Sequence, residues 1–350
     1  MKTKTILFLR IFLLGCIFPI IVSNIVYTGF STNYTVGVFS KRGFEYYYGN
    51  GIYKYRVLGN TMLLKTYDLI KRYNLPTFAP RSLNLLDYAG DPQFYSAYFY
   101  LNTFFLCLTS ILLLIILGAH HKNMDFMMVD LPVLFMCFLI AIAQYVVVPY
   151  DTLSYFFLSI AVILIIYDNG TLWNLLGLCI IVILATLTRE TAAFILSFYF
   201  AINYKTILTK PTTLKINQKQ AILIIITACF IFTYIGLRWV FGYDHAIYEA
   251  IVLSKNINRP DAILGMLFFV SIALIIFITK AVTKEISVFF VVTLPYVLFV
   301  LLFAEAWEIR LWTPPILLLI ILKVRASQPV ITQESVPETP RHDHRPTTSQ

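Results

Sequence analysis

Long apolar runs recur along this chain of 350 residues and constrain its fold more than any other feature. Several windows of about 18 apolar residues appear, which is the length that a helix needs to cross roughly 30 Å of hydrocarbon. Only 13% of the residues are charged, whereas soluble domains contain about 25%. The sequence therefore predicts an all-α protein, a polytopic transmembrane helix bundle.

Hydropathy predicts about ten spans, with the N-terminus and the C-terminus both in the cytoplasm. The predicted spans are 6–27, 96–118, 131–149, 152–167, 172–188, 190–204, 220–241, 262–279, 286–304 and 311–323. This order places the basic segment "KTILTKPTTLKINQK" on the cytoplasmic side, as the positive-inside rule requires. Residues 28–95 then become a long first loop on the outer side.

Residues 172–204 are the ambiguous part of this topology, because they could form one helix or two. At 1.5 Å per residue a single helix would be about 50 Å long, which is too long for one crossing. Merging the two spans would also move the four-lysine segment to the outer side. Two short spans joined by a turn at Thr188–Thr191 are therefore favoured.

The remaining composition supports one transmembrane unit with a tail. Residues 1–325 are predicted to form the catalytic bundle, and residues 326–350 are rich in Pro, Thr and Ser and are interpreted as a disordered cytoplasmic tail. The five cysteines lie in apolar runs without metal-ligand or redox spacing, which is typical of packing residues. The formal net charge of +9 is explained by basic residues on one membrane face and not by nucleic-acid binding.

Charged residues inside the apolar part of the chain are the second unusual feature. The stretch "ATLTRETAAF" places Arg189 and Glu190 at the turn between two short spans. An ionisable side chain at bilayer depth costs several kcal/mol unless it faces protein or water. The two residues either line a water-filled outer cavity or form a structural ion pair that clamps the two helices.

Two other short outer segments also carry charge. "VVPYDTLSYF" places Asp151 at a helix start, where it serves as a helix cap, as a functional group, or as both. "FAEAWEIRLWTPP" places Glu305, Glu308 and Arg310 between the last two spans. Its tryptophans offer the alternative of an interfacial anchor. The two prolines that follow are expected to interrupt the final span.

The first outer loop has the composition of a folded surface segment. It contains "KRGFEYYYGNGIYKYRVLGN", with Glu45 and Arg56, and then the helical pattern "TMLLKTYDLIKRY". Asp68 is interpreted as a solvated residue on that helix. Asp91, before a proline, is interpreted as turn chemistry.

Arginines and acids are thus predicted to converge on the outer face. The candidates are Arg56, Arg189 and Arg310 together with Glu45, Asp151, Glu190, Glu305 and Glu308. Arginine forks bind phosphate, and carboxylates act as a general base or hold a divalent metal such as Mg or Mn. The combination suits a lipid-linked phosphate donor and an acceptor hydroxyl, and the sequence leaves a metal requirement open.

The layout and four short stretches resemble the glycosyltransferase C superfamily, particularly multispanning proteins of bacterial surface-polysaccharide loci. The stretches are "GIYKYRVL", "VPYDTLSYF", "TLTRETA" and "WEIRLWTP". The resemblance implies an inverting transferase in the bacterial inner (plasma) membrane, with a polyprenyl-phosphate-linked sugar as donor and a saccharide or lipid as acceptor. It also implies Glu45 as the base and Arg189 as a phosphate partner. Many members have adjacent acids in the first loop, whereas Glu45 stands alone.

Two alternatives come from other functional classes. A transporter or flippase for lipid-linked saccharides would place ionisable residues near mid-membrane on discontinuous helices, often within internal repeats. The sequence shows no clear repeat, and its charges gather at the ends of spans. A polymerase or ligase would be expected to use arginines in a large late outer loop, whereas the large loop here comes first.

Overall fold

The computed structural model of the protein describes residues 2–33, 37–80, 83, 87–118, 126–209, 217–242, 252–278 and 283–327. Within these ranges every named element is helical, and the all-α prediction is confirmed. The helices are α1 (Lys2–Phe12), α2 (Phe18–Gly29), α3 (Lys41–Gly49), α4 (Val57–Tyr73), α5 (Pro92–Gly118), α6 (Leu131–Ala143), α7 (Asp151–Ile166), α8 (Leu172–Thr188), α9 (Ala193–Leu208), α10 (Gln218–Phe241), α11 (Leu253–Asn258), α12 (Pro260–Ile278), α13 (Lys284–Phe303) and α14 (Ile309–Ala326). The predicted tail lies outside the described residues from position 328 onward.

Among the described residues, six helical segments are long and apolar enough to cross a membrane. They are Leu7–Gly29, Pro92–Gly118, Phe126–Ala143, Glu190–Leu208, Gln218–Phe241 and Lys284–Phe303. Three shorter apolar helices follow the same pattern: Asp151–Ile166, Leu172–Thr188 and Pro260–Ile275. A helix lies at each of the ten predicted positions, whereas length and composition support six crossings. These segments indicate a multi-pass membrane protein.

Polar residues at the helix starts explain where several of these helices begin. Thr171 caps α8 by accepting a hydrogen bond from the backbone N–H of Asn174. Asn217 and Gln220 form a reciprocal capping box at the start of α10. Each side chain satisfies a backbone N–H that the helix cannot satisfy itself. These caps fix the helix ends opposite to the charged cluster described below.

The predicted turn between two short spans at residues 172–204 is confirmed. α8 ends where Arg189 takes an extended backbone conformation, with φ −163° and ψ 147°. A short 3-10 helix, Glu190–Ala192, then leads directly into α9. The extended residue turns the Arg189 side chain away from the axis of α8 towards the start of α7.

The predicted span 131–149 is wrong at its C-terminal end, because α6 ends at Ala143. The chain after it runs extended and pairs with Thr32, whose N–H donates to the Tyr145 carbonyl (2.6 Å) and whose carbonyl accepts from Val147 N–H (2.9 Å). A run of β-branched valines followed by Pro149 disfavours helix, although the run is apolar enough to look like a span. This extended segment positions the start of α7.

The expected interruption of the final span at Pro314 and Pro315 is also wrong, because α14 continues through both prolines. A proline ring removes one backbone donor, so the carbonyls of Arg310 and Leu311 lose their helical partners. The hydroxyl of Tyr155 donates to the Arg310 carbonyl (3.3 Å), and that of Tyr296 to the Leu311 carbonyl (2.8 Å). Two tyrosines from neighbouring helices therefore replace the missing bonds.

The described part of the predicted first outer loop is folded, as its composition predicted. Asp68 is exposed on α4, and Asp91 accepts hydrogen bonds from Gln93 N–H and the Tyr67 hydroxyl at the start of α5, so both interpretations are confirmed. α4 packs on α5 and approaches α7 closely at Gly59. A Cβ atom at Gly59 would lie 2.7 Å from the Tyr150 Cβ, so only glycine permits this approach. The contact brings the loop against the bundle.

Candidate functional site

Charged side chains from four parts of the chain meet around Tyr150. The first loop, the start of α7, the break between α8 and α9, and the start of α14 each contribute. We call this group the arginine cluster, and it consists of Arg56, Arg189 and Arg310 with Asp151, Glu190 and Glu308. Six of the eight predicted site residues are therefore brought together.

The most deeply buried pair of the cluster joins α7 to the end of α8. Arg189 Nη1 donates to Asp151 Oδ1 at 2.6 Å, and the two side chains are 4% and 0% exposed. The Asp151 carboxylate takes this bond and none of its described bonds comes from a backbone N–H, so the cap interpretation is wrong. Its position in the first turn still suits the helix dipole. The pair fixes the break in the chain against α7.

The second pair joins the first loop to the same break and is the exposed edge of the cluster. Arg56 Nη2 lies 3.4 Å from Glu190 Oε2, with side chains 12% and 35% exposed. The predicted clamp between Arg189 and Glu190 is therefore replaced by two separate pairs with different partners. The Arg56 guanidinium also stacks over the ring of Tyr150 at 4.2 Å from its centroid, an arrangement that suits a planar cation.

The electrostatics around Arg56 favour its charged form. Burial alone would lower the pKa of Arg56, but the neighbouring Tyr150 and Glu190 groups outweigh it and hold the pKa above its ordinary value. Burial raises the pKa of Tyr150 to about 12, against the opposing charges of Arg56 and Arg310. Tyr150 therefore keeps its hydroxyl proton at neutral pH and can only be a neutral donor or acceptor there.

The third pair lies at the start of α14. Arg310 Nε and Nη2 donate to the two oxygens of Glu308 at 2.8 and 3.2 Å, and both residues are buried. This is the two-pronged geometry in which a guanidinium binds a carboxylate most strongly. The charge of Asp151 also acts on Arg310, so the pair belongs to the same group. A small cavity below it is lined by Ser154, Tyr155, Thr191 and Pro314, among others.

Three buried polar atoms at the centre of the cluster have no hydrogen-bond partner among the described residues. They are Arg56 Nε, the Tyr150 hydroxyl and Asp151 Oδ2. Such atoms are uncommon, because a buried group without a partner costs about 1–3 kcal/mol. Two potential donors and one acceptor are thus gathered in one place, which is the arrangement that a polar ligand or ordered water would complete.

Two predicted site residues lie outside the cluster. Glu45 is on the solvent side of α3, where its carboxylate is 52% exposed and lies 3.9 Å from Lys41 Nζ. Glu305 accepts a hydrogen bond from Trp307 Nε1 at 2.9 Å in the turn before α14. Trp312 is buried against Phe269, so the interfacial-anchor interpretation is wrong for this tryptophan. The role of Glu45 stays a prediction of the resemblance.

Sequence reasoning missed two residues of this region, Tyr150 and Arg238. Tyr150 is an aromatic residue within an apolar run, and only its position next to Asp151 could have drawn attention to it. Arg238 lies in the last turn of α10, close enough to Glu190 for their charges to attract. A single arginine at the end of a predicted span reads as an ordinary boundary residue.

The donors of the cluster do not match a divalent metal. Within the part of the chain that the structure describes, no group of three or more His, Cys, Asp and Glu side chains is placed to hold a metal ion. Each carboxylate of the cluster instead faces an arginine.

No family model, curated protein or solved structure matches the chain. The site is therefore interpreted from its own geometry. Guanidinium groups, a neutral phenol and a partly exposed carboxylate can together bind an anion and accept a proton beside it.

Proposed function

We propose that the protein is a membrane glycosyltransferase that moves a sugar from a polyprenyl-phosphate donor to a saccharide or lipid acceptor. It would act on the extracytoplasmic face of a bacterial inner membrane, in polysaccharide biosynthesis, with about ten spans and both termini in the cytoplasm. One observation carries the proposal. The arginine cluster has a partly exposed edge, the Arg56–Glu190 pair, and it contains buried polar atoms that have no hydrogen-bond partner among the described residues.

Arg56 is the group best placed to bind the donor phosphate. Its pair with Glu190 is the longest of the three arginine pairs of the cluster, at 3.4 Å, and its Nε has no partner among the described residues. A phosphate oxygen could take these donors in place of the carboxylate, since a guanidinium binds both in the same forked geometry. Arg189 is less suited than the sequence suggested, because it is 4% exposed and already bound to Asp151.

Glu190 is the carboxylate best placed to act as the base. Its side chain is 35% exposed, whereas those of Asp151 and Glu308 are buried. In the proposed step Glu190 takes the proton of the acceptor hydroxyl while that oxygen attacks the anomeric carbon of the sugar. The bond from this carbon to the phosphate oxygen breaks, and polyprenyl phosphate leaves with its electron pair. Attack opposite to the leaving group inverts the anomeric centre.

The other two pairs would position these groups. Asp151–Arg189 anchors the chain break that carries Glu190, and Glu308–Arg310 lies behind Tyr150, on which Arg56 stacks. Groups held in this way need little rearrangement when charge develops on the leaving phosphate. The network would therefore contribute by positioning Arg56 and Glu190.

The test is transfer of radiolabelled sugar from polyprenyl phosphate in membranes that contain the protein. Arg56→Gln and Glu190→Gln should each lower transfer by about 100-fold, which is a typical contribution of a fixed donor to developing charge and of a positioned base, respectively. The matched control is Arg72→Gln, which removes an exposed arginine of the same loop. Wild-type transfer in both cluster variants, at equal protein level, would refute the assignment of these residues.

A transporter or flippase of lipid-linked saccharides is the second candidate. The break between α8 and α9 favours it, because discontinuous helices with nearby charges are typical of substrate sites in transporters. Reconstitution in liposomes separates the two functions. A transporter moves labelled lipid-linked saccharide between leaflets without forming a glycosidic bond, whereas a transferase forms the new bond and releases polyprenyl phosphate.

A further inference from the structure

Arg238 lies beside the arginine cluster and is held by aromatic rings. Its guanidinium carbon is 3.4 Å from the ring centroid of Tyr234 and 4.6 Å from that of Tyr55, and Nη1 donates to the Tyr234 carbonyl at 3.2 Å. The hydroxyl of Tyr55 in turn donates to the Gly242 carbonyl at 2.7 Å. Tyr55 therefore links the end of α10 to Arg56, its neighbour in the chain.

This fourth arginine gives the described residues of the region more positive than negative charge. Arg56, Arg189 and Arg310 each lie within 4 Å of a carboxylate, whereas Arg238 has no such partner among the described residues. Among the described residues, Arg238 and the three arginines of the cluster therefore exceed the carboxylates Asp151, Glu190 and Glu308 by one positive charge. Because an unbalanced cation beside an apolar helix is costly, the excess favours an anion at this place.

The outer surface of α10 indicates where this anion comes from. Ile231, Ile235 and Trp239 follow one another at intervals of four residues, so they form one stripe on the helix, and all three are exposed. Trp239 is 86% exposed and directly follows Arg238. A cation at the end of an exposed apolar stripe is complementary to a lipid whose hydrocarbon chain carries an anionic head.

We infer that Arg238 is a second phosphate-binding residue, which together with Arg56 seats the phosphate of a polyprenyl lipid lying along the exposed stripe of α10. The inference rests on the proposed function and adds the side from which the donor enters. Arg56 would approach the phosphate from the first loop and Arg238 from the membrane helix. Glu190, which both arginines attract, would then stand next to the bond that breaks.

The experiment measures binding of polyprenyl phosphate and of the uncharged polyprenol of the same chain length to the full chain in nanodiscs of neutral lipid. Wild type should bind the phosphate more tightly by at least about tenfold, as charge-assisted bonds to an arginine fork imply. Arg238→Gln should lose most of this preference while its affinity for polyprenol stays unchanged. Arg238→Lys, which keeps the charge without the flat fork, should retain part of it. Arg72→Gln should behave as wild type.

The possible outcomes separate the inference from the function on which it rests. If Arg56→Gln loses the phosphate preference and Arg238→Gln keeps it, the inference is overturned and the proposed function stands. If the wild type shows no preference and transfers no sugar, both are overturned. If inorganic phosphate binds the wild type as tightly as polyprenyl phosphate does, the seat belongs to a soluble anion and the lipid assignment is overturned. Unchanged thermal unfolding of Arg238→Gln or Arg238→Lys shows that the variant used is folded.

Discussion

The two ends of α7 each carry a buried aspartate with a basic partner, but they differ in how completely the carboxylate is satisfied. Beyond the C-terminal end, Asp168 Oδ1 accepts from Gly170 N–H (2.9 Å) and Asn174 Nδ2 (2.8 Å), and its other oxygen accepts from Lys219. At the N-terminal end, Asp151 Oδ1 accepts from Arg189, and Oδ2 has no partner in the described part of the chain.

This difference distinguishes a structural ion pair from a candidate ligand-binding site. The Asp168 carboxylate has a partner for each oxygen and holds three segments together, so it leaves neither oxygen without a hydrogen bond. At the other end the Asp151 side chain is 0% exposed. Its Oδ2 atom and the neighbouring Tyr150 hydroxyl have no hydrogen-bond partner among the described residues. Native proteins rarely tolerate such a cost without a reason, and this supports the proposal that the site lies at the N-terminal end of α7.

The largest expected effect is at the buried pair. Arg189→Ala should lower the free energy of unfolding by about 3–5 kcal/mol, because it leaves the Asp151 charge buried without its partner. Unfolding titrations with SDS in mixed micelles measure this change. The double variant Asp151→Leu with Arg189→Met should recover most of the stability, since an apolar pair removes both charges. A loss below about 1 kcal/mol in the single variant would mean that water reaches Asp151.

The second expected effect tests the close approach of the first loop. Gly59→Ala places a Cβ against Tyr150 and should cost about 1–3 kcal/mol of stability. It should also reduce sugar transfer, because Arg56 lies one helical turn before Gly59 and would be displaced from Glu190. The matched control is Gly236→Ala, where no atom lies within 4 Å of the added Cβ. Equal melting temperatures and equal transfer for the two variants would contradict the packing described here.

The third expected effect is at the C-terminal end of α7, where both oxygens of the Asp168 carboxylate accept hydrogen bonds. Asp168→Asn should cost about 1–2 kcal/mol through weaker bonds to Lys219 and Asn174, and transfer by the folded protein should stay at the wild-type level. The control Asp68→Asn, at an exposed position, should change stability by less than about 0.5 kcal/mol. Loss of sugar transfer in Asp168→Asn at full protein level would contradict the purely structural role of Asp168 at the C-terminal end of α7.

The contribution of Asp168 to the stability of the fold should depend on pH. Burial raises the pKa of Asp168, but the hydrogen bonds from Lys219, Gly170 and Asn174 outweigh it and hold the pKa below its ordinary value. The ionised carboxylate therefore stabilises the fold above the unfolded-state pKa of about 4, and this stabilisation disappears as the pH falls through the lower folded-state value. Unfolding titrations from pH 6 down to pH 3 should show a smaller loss in Asp168→Asn than in wild type.

The sequence predicted the parts of this molecule that follow from length and local chemistry. The break at Thr188–Thr191 came from the length of one helix compared with the bilayer, and the structure has it there. The ion-pair partner of Arg189 could not be predicted from the sequence. Its partner Asp151 is 38 residues away, whereas the expected partner Glu190 is adjacent. A pairing between distant segments depends on packing that local patterns do not contain.

The errors in the fold have the same origin. Hydropathy cannot distinguish a valine-rich extended segment from a helix, so the predicted span ran past Ala143. The helix through Pro314 and Pro315 depends on hydroxyl donors from Tyr155 and Tyr296, which lie on other helices. In both cases a backbone group is hydrogen-bonded by a segment that is distant in the sequence, and local sequence patterns cannot predict such a bond.

The smallest expected effect concerns Glu45. Substitution of this residue tests the solvent face of the first loop against the arginine cluster. Glu45→Gln should change the free energy of unfolding by less than about 0.5 kcal/mol, because its pair with Lys41 is exposed and 3.9 Å long. Transfer should stay near the wild-type level, whereas Glu190→Gln loses it, since Glu190 and not Glu45 contacts the cluster. A loss of transfer in Glu45→Gln at unchanged stability would instead make Glu45 the base, as the resemblance implies. The first loop would then have to close over the cluster during the reaction, and Arg56, which the same loop carries, would move with it.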